Sequence, residues 1–401
     1  MKIVVVGGGA REHALASVLS ACGHELLFTH ENPGFFSLGT VRPVAPEVLA
    51  AGADLVVVGP EGPLADGLVD RLATLGVPAF GPTRTAAALE CSKIFCKRFC
   101  HRHAIPTADF IVVEPGDTPV LDRPWVVKLD GLAAGKGVWV SSTIEQAQEA
   151  LAAAQATHPG QPVLLEDRLY GPELSVLALC DGEDLVVLPP ARDHKRRFNL
   201  DQGPNTGGMG AIAPVETSDL AACVAILRTT VAGMAAEGTP FRGALYGGFM
   251  LTPAGARLLE YNVRFGDPET QAILPLLAED LAPWLLGAAT GRLPGSNVKL
   301  LDAYACAVVI AAATYPEGRA SSQIYGLPAE SDNLRVYQGG TTLRADSRGH
   351  IRLWASGGRV LTITGLGADP GLARRRAYQG AAEVRFLDAD WRTDIGAGPW
   401  S

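Results

Sequence analysis

The sequence lacks a basic excess: 34 Lys and Arg stand against 42 Asp and Glu, a net charge of −8. That balance argues against a general nucleic-acid or membrane-surface binder, although a phosphate site needs only local positive charge. It also lacks a long apolar run. The nearest, residues 303–314, falls short of the ~18 residues of a membrane span. Near the start, Lys2 is followed only by residues 3–6 before a glycine tract, too little for a signal-peptide core. A soluble cytoplasmic protein is expected. The seven cysteines are odd in number and irregularly spaced, which excludes a small disulfide scaffold and suggests thiols in a reducing compartment. Internal repeats, low-complexity tracts and Ser-His-Asp or Cys-His arrangements are all missing.

At 401 residues the chain has room for two to three domains at ~150 residues each. Strands at residues 2–6, 26–28, 55–58 and 77–80 alternate with helical segments such as 11–21, so the first block reads as parallel α/β. A helical region follows Pro82 to about His103. It holds Cys96, Cys100 and His103 at i, i+4, i+7, which reads as one apolar helix face ending in a solvated His, with a zinc site as the alternative. A second block has strands at 125–129, 137–141 and 163–166, a helix at 144–156 and a hairpin at 175–188. Residues 192–214 read as a long irregular stretch, usually functional inside a compact domain. Helix 220–237, a strand pair at 244–252 and 257–261, and a helix at 269–289 come next. From about residue 296 the pattern is β-rich, with a closing helix at 369–386.

Gly7-Gly8-Gly9 ends a strand and opens a helix, and such a turn offers backbone N–H groups to an anion. Glu12 occupies the third-glycine position of a dinucleotide fingerprint, so a phosphate or ribose site is favoured over NAD; Arg11, Glu12 and His13 add polar groups. GLAAGKG (residues 131–137) fails as a P-loop, because the spacing is one short and Gly137 replaces Ser/Thr. A glycine loop carrying Lys136 between two strands reads instead as a lid over phosphates, with Lys128 adding a second charge. LLEDRLYGPE (164–173) is a strand leading to a turn; in a nucleotide cleft it would offer backbone groups to adenine and a carboxylate to ribose, though an ordinary hinge reads the same. DHKRR (193–197) beside GPNTGGMG (203–210) sets charges against glycines. Glu260, Asn262 and Arg264 alternate, so period two points them to one face. A carboxylate with an amide oxygen suits magnesium held mainly by substrate phosphates, and the arginine suits a carboxylate or phosphoryl oxygen.

Taken in order, GGGAREHA, VVKLDGLAAGKGV, DHKRRFNLDQGPNTGGMGAIAP, LLEYNVRFGDPETQ and SGGRVLTITGLG resemble the phosphoribosylamine–glycine ligase family over nearly the whole chain. The resemblance implies an α/β protein with a parallel α/β N-terminal domain (1–103), a central ATP-grasp domain (104–295) with a small lid subdomain (about 120–187), and a β-rich C-terminal domain (296–401). It implies Lys93, Lys128 and Lys136 on ATP phosphates, Glu166 and Leu169 at adenine, Glu173 at the ribose, and Glu260 and Asn262 on magnesium or manganese, with Asn262 also beside ATP. Arg264 and Lys136 would be catalytic. Gly9, Arg11, Glu12, Glu61, Asp193, Lys195, Gly208 and Asp267 would line the phosphoribosylamine and glycine sites. The implied reaction runs through glycyl phosphate, with Asp193 or His194 as candidate bases. The working unit would be a monomer that meets other purine-pathway enzymes only transiently. Ala10, Leu129 and Cys91 depart from the family pattern, yet none removes a charged group.

Overall fold

The computed structural model describes residues 1–132 and 137–398. Lys136 and the tip of its glycine loop lie outside the described residues. The first block is a five-stranded parallel sheet with Lys2–Val6 at its centre, between Glu25–Phe28 and Leu55–Val58. The run KIVVV is β-branched and buried on both faces, as a parallel sheet covered by helices requires. Helix Ala10–Ala21 starts directly after the glycine run, and the Glu12 carboxylate folds back to accept from Gly9 N at 2.7 Å.

His13 on this helix ties the N-terminal domain to the C-terminal one. It accepts from Gln338 N in the C-terminal domain at 2.9 Å and sits edge-on to Phe35 and Tyr337. Burial pushes its pKa from 6.5 down to about 4. The unfolded chain therefore binds the extra proton between those values. Stability present above pH 6.5 is lost as pH falls through the window, by about 3 kcal/mol when complete. Denaturant titrations of His13→Gln between pH 7 and 4 should show a shallower acid limb than wild type. His194, also pushed down to about 4, adds to the limb that remains, and Asp193, whose carboxyl burial raises, works against it. An unchanged limb would count against this assignment.

Two four-stranded antiparallel sheets follow. The smaller pairs Phe110–Val113, Val163–Glu166, Val126–Leu129 and Val138–Val140 in that order. Helix Ile144–Thr157 covers it, and Trp125, Val127, Leu151 and Leu165 are among the side chains of its own separate core. The small sheet begins before the expected lid boundary. Strands Glu173–Asp181 and Leu185–Val187, inside that boundary, belong to the larger sheet with Arg242–Thr252 and Gly255–Asn262. Helix Leu220–Ala236 packs the larger sheet with Ile226, Leu227, Val231 and Met234 on one stripe, the helical period expected of a core-facing helix.

Two sequence readings need correction. Residues 192–214 are not irregular: they hold short strands Arg192–Asp193, Arg196–Phe198, Gln202–Asn205 and Gly210–Ala213. The last pairs with Tyr304–Ala312 and so joins the six-stranded C-terminal sheet. Residues 269–289 are not one helix. Glu269–Ile273 gives way to a short 3-10 turn, Leu274–Leu276, and Ala282–Thr290 starts afresh with a proline in its first turn. Pro275 lacks the N–H that an uninterrupted helix would use. The expected strands Thr341–Ala345 and Ile351–Ala355 form a hairpin.

Candidate functional site

Between the two antiparallel sheets lies a cleft of roughly 520 Å³, within the usual range for small-molecule sites. One wall is cationic. Ser92 caps helix Lys93–Arg102 by accepting from Phe95 N, and Lys93 donates to Gly131 O at 2.8 Å. Burial holds the Lys93 ammonium below its ordinary pKa. Lys128 reaches Glu166 Oε1 at 2.8 Å, and Lys97, one helical turn after Lys93, reaches Glu166 Oε2 at 2.9 Å. Burial would raise the Glu166 carboxyl, but Lys128 and Lys97 keep it below the usual range. Each oxygen of the Glu166 carboxylate is thus paired with one ammonium group.

The opposite wall is the end of strand Gly255–Asn262. Its register against Arg242–Thr252 shifts between Gly248 and Phe249, and Leu259, Glu260, Tyr261 and Asn262 line the cleft. Among the described residues, the Glu260 carboxylate and the Asn262 amide each lack a hydrogen-bonding or ion-pairing side-chain partner. An unengaged carboxylate and amide oxygen, facing cations that would hold phosphates, fit a magnesium or manganese ion that takes its other ligands from substrate. Among the described residues no cluster of three or more His, Cys, Asp or Glu could hold a metal on its own. Cys96 and Cys100 are core residues, and His103 turns to Glu237 at 2.7 Å, as the apolar-face reading requires.

Arg264 reaches the cleft but is not an open clamp. Its Nε donates to Glu61 Oε2 at 3.0 Å, its Nη2 lies 3.2 Å from Glu90 Oε1, and its Nη1 donates to Phe265 O. Burial opposes the Glu61 carboxylate, yet Arg264 holds it below its usual range. Burial raises Glu90, which also accepts from Val263 N at 2.7 Å. The arginine is the hub of a carboxylate pair, with the Glu90 side chain largely buried and that of Glu61 partly exposed.

Asp193 and Lys195 also line the cleft, 3.0 Å apart, and Lys195 continues to Glu173 Oε2 at 3.1 Å. Burial pushes the Asp193 carboxyl well above the usual range despite Lys195. His194, between them, does not line the cleft; it sits against Arg392 at 3.5 Å, which removes it as a base. Arg11, Glu61 and Asp267 line the cleft, and Gly9 lines a smaller adjoining cavity that shares Asp267 and Arg359. Glu12 is buried against Arg11 Nε at 2.6 Å. Glu12, Leu169, Glu173 and Gly208 are not among the cleft-lining residues, although Glu173 touches it through Lys195.

Sequence reasoning missed Glu90, Lys97, Tyr246, Glu269, Tyr315 and Arg359, all of which line the cleft. Lys97 carried a signal, since it lies at i+4 from Lys93 and so shares its helix face. Arg359 stood inside SGGRVL without an assigned part. Glu269 stood inside GDPETQ without an assigned part, and nothing local marks Glu90 or Tyr315, whose partners are far away in sequence.

Three family descriptions match the chain: "Phosphoribosylglycinamide synthetase, N domain" over residues 1–90, its "ATP-grasp (A) domain" over 91–270 and its "C domain" over 305–398. The phosphoribosylamine–glycine ligase of Caulobacter vibrioides is 43% identical over 99% of this chain and 98% of its own length. That of Streptomyces coelicolor is 40% identical over 99% of each. The crystal structure of phosphoribosylamine–glycine ligase from Thermotoga maritima superposes with a TM-score of 0.86 at 34% identity, covering 98% of this chain and 100% of that one. A biotin carboxylase from Campylobacter jejuni, at TM-score 0.68 and 14% identity, shares the fold alone. A parallel N-terminal sheet, a cleft between two antiparallel sheets, an antiparallel C-terminal sheet and full-length relatives near 40% identity lead to one conclusion: the chain belongs to the phosphoribosylglycinamide synthetase, or phosphoribosylamine–glycine ligase, family.

Proposed function

We propose that this ligase phosphorylates glycine with ATP in the cleft between the two sheets and then joins the glycyl group to phosphoribosylamine. Amide formation from a free carboxylate is uphill in water, so the carboxylate needs a leaving group. A glycine carboxylate oxygen would attack the γ-phosphorus and release ADP. The amine nitrogen would then attack the acyl carbon, the C–N bond would form, and the C–O bond to phosphate would break. Phosphoryl transfer needs positioning and charge neutralisation more than a protein nucleophile. The observation that carries the reading is the cleft itself, with Lys93 and Lys128 on one wall and the unengaged Glu260 and Asn262 on the other.

In this reading Lys93 and Lys128 hold the ATP phosphates, and Lys136, outside the described residues, keeps that part through the resemblance alone. Leu169 and the Glu166 segment would border adenine, and Glu173 the ribose. Glu260 and Asn262 would hold magnesium or manganese, which supplies positive charge to the phosphates. Arg264 fixes Glu61 and Glu90 behind the reacting groups. Asp193 is the candidate to take the amine proton. Arg11, Glu61, Lys195, Asp267 and the Gly9 turn would serve glycine and phosphoribosylamine. No helix among the described residues is long and apolar enough to cross a membrane, and a cytoplasmic monomer with passing contacts to other purine-pathway enzymes is the proposed setting.

The purified chain should release ADP only when glycine and phosphoribosylamine are both present. Release driven equally by bicarbonate or D-alanine would overturn the substrate assignment. With glycine but no amine, positional isotope exchange within ATP is expected, reporting reversible acyl-phosphate formation.

A further inference from the structure

Arg359 and Tyr315 come from the C-terminal domain, to which the chemistry above assigns no part, yet both line the cleft. They grip the same residue, Gly207. Tyr315 OH accepts from Gly207 N at 2.9 Å, and Arg359 Nη1 donates to Gly207 O at 2.6 Å. The same Nη1 donates to Asp267 O at 2.9 Å, and Nη2 to Asp267 Oδ2 at 2.9 Å. Gln271 Nε2 holds the other carboxylate oxygen at 2.8 Å. A Cβ on Gly207 would come within 3.2 Å of both Arg359 Cζ and Tyr315 OH, so the two side chains close tightly over this residue. Gly208 follows at φ +105°, where a Cβ would meet Pro268 at 2.5 Å. One guanidinium thereby joins the GPNTGG loop to the GDP turn. Among the described residues no other arginine bridges the two segments: Arg264 bonds to Glu61, Glu90 and Phe265 O, Arg11 to Glu12 and Phe265 O, and Arg196 reaches only the start of the loop, at Gly203 O.

We propose that Arg359, assisted by Tyr315, is a positioning residue that locks the 206–208 loop to the 266–268 turn and so shapes the glycine and amine end of the cleft. This rests on the functional reading above. A guanidinium presents a rigid fork that reaches several acceptors at once, and an ammonium does not. The phosphate end of the cleft stands on other elements. Lys93 and Lys128 contact Gly131 and Glu166, and Glu260 lies on a different strand, so none touches the latch.

A split among the kinetic constants is therefore expected. Arg359→Lys should raise KM for glycine and phosphoribosylamine about tenfold or more, the scale of one lost charge-assisted hydrogen bond, and Tyr315→Phe should raise both by about fivefold, the scale of a neutral one, while KM for ATP stays within about twofold. Arg359→Ala should be worse than Arg359→Lys, which retains the charge beside Asp267. Tyr315→Phe guards against a folding artefact, because it removes only a hydroxyl. An equal rise in all three KM values overturns the inference, as does a fall in melting temperature with every KM unchanged. If the wild-type chain shows no glycine-dependent ADP release, the functional reading fails and takes this inference with it. An active wild type with indistinguishable variants overturns this inference alone.

Discussion

Glu260→Ala is expected to lower glycine-dependent ADP formation by roughly 10³-fold, the scale of removing a main source of transition-state charge stabilisation. The melting temperature should stay near wild type. Glu260 is only half-buried, and its carboxylate forms no ion pair with another described residue, so truncation strands no buried partner. Its anionic field does raise the Lys128 ammonium pKa, after Glu166, and opposes the fall of Lys93. Removing it makes the potential between the lysines more positive, although it also lowers their pKa values. ATP without metal should therefore bind as well as before or more tightly, while metal-dependent turnover collapses. That pairing separates a metal ligand from a residue that merely tunes the lysines. Titration of Mn2+ in the presence of ATP by electron paramagnetic resonance gives a readout independent of turnover. Glu260→Gln, which keeps one oxygen donor without the charge, should fall between. Near-normal magnesium-dependent turnover in Glu260→Ala would sink the metal assignment.

Glu260 and Asn262 were legible in the sequence because both lie on one short strand, where period two alone places them on one side. The bulge opposite Leu259 adds that residue to the wall without disturbing the pair. Lys128 was legible through its neighbouring glycine loop. Arg264 was half legible. Its place in the cleft followed from the same spacing, but its commitment to Glu61 and Glu90 did not, since those carboxylates are contributed from far upstream. Strand positions in the N-terminal and C-terminal domains followed from β-branched runs bounded by turn residues. Strand Gly210–Ala213 was missed because GAIA is short, and its partner, Tyr304–Ala312, lies about a hundred residues away. A different pairing carries Arg359 into the cleft: it opens strand Arg359–Gly367, which also pairs with Tyr304–Ala312. What local patterns can state is which side of an element a residue faces; what meets it there depends on pairings that only the folded chain reveals.

The buried triad of Lys97, Glu166 and Lys128 should show the largest stability effect. All three side chains are less than a tenth exposed, so Glu166→Ala leaves two ammonium groups in a dry wall without their anion. The expected loss is about 3–5 kcal/mol, read from the denaturant midpoint. Lys97→Met should cost less, because Lys128 still neutralises Glu166 and the methionine fills the stem's volume. The double variant Glu166→Ala/Lys97→Met should be more stable than Glu166→Ala alone, since one of the two stranded charges is gone; such a coupling between contacting residues is what a double-mutant cycle isolates. The sign with pH is also fixed. The lysines depress the Glu166 pKa, so its contribution is present above the ordinary carboxylate range and is lost as pH falls through the lowered value. The gap between wild type and Glu166→Ala should therefore persist at neutral pH and narrow only in acid. Equal stability of Glu166→Ala and Lys97→Met would refute the shared-anion picture. Hydrophobic replacement of a buried ion pair is often no less stable, so stability alone does not explain the triad. Glu166 holds the Lys128 ammonium at the cleft wall where ATP phosphates would lie, and Glu166→Ala should raise KM for ATP as well as soften the fold.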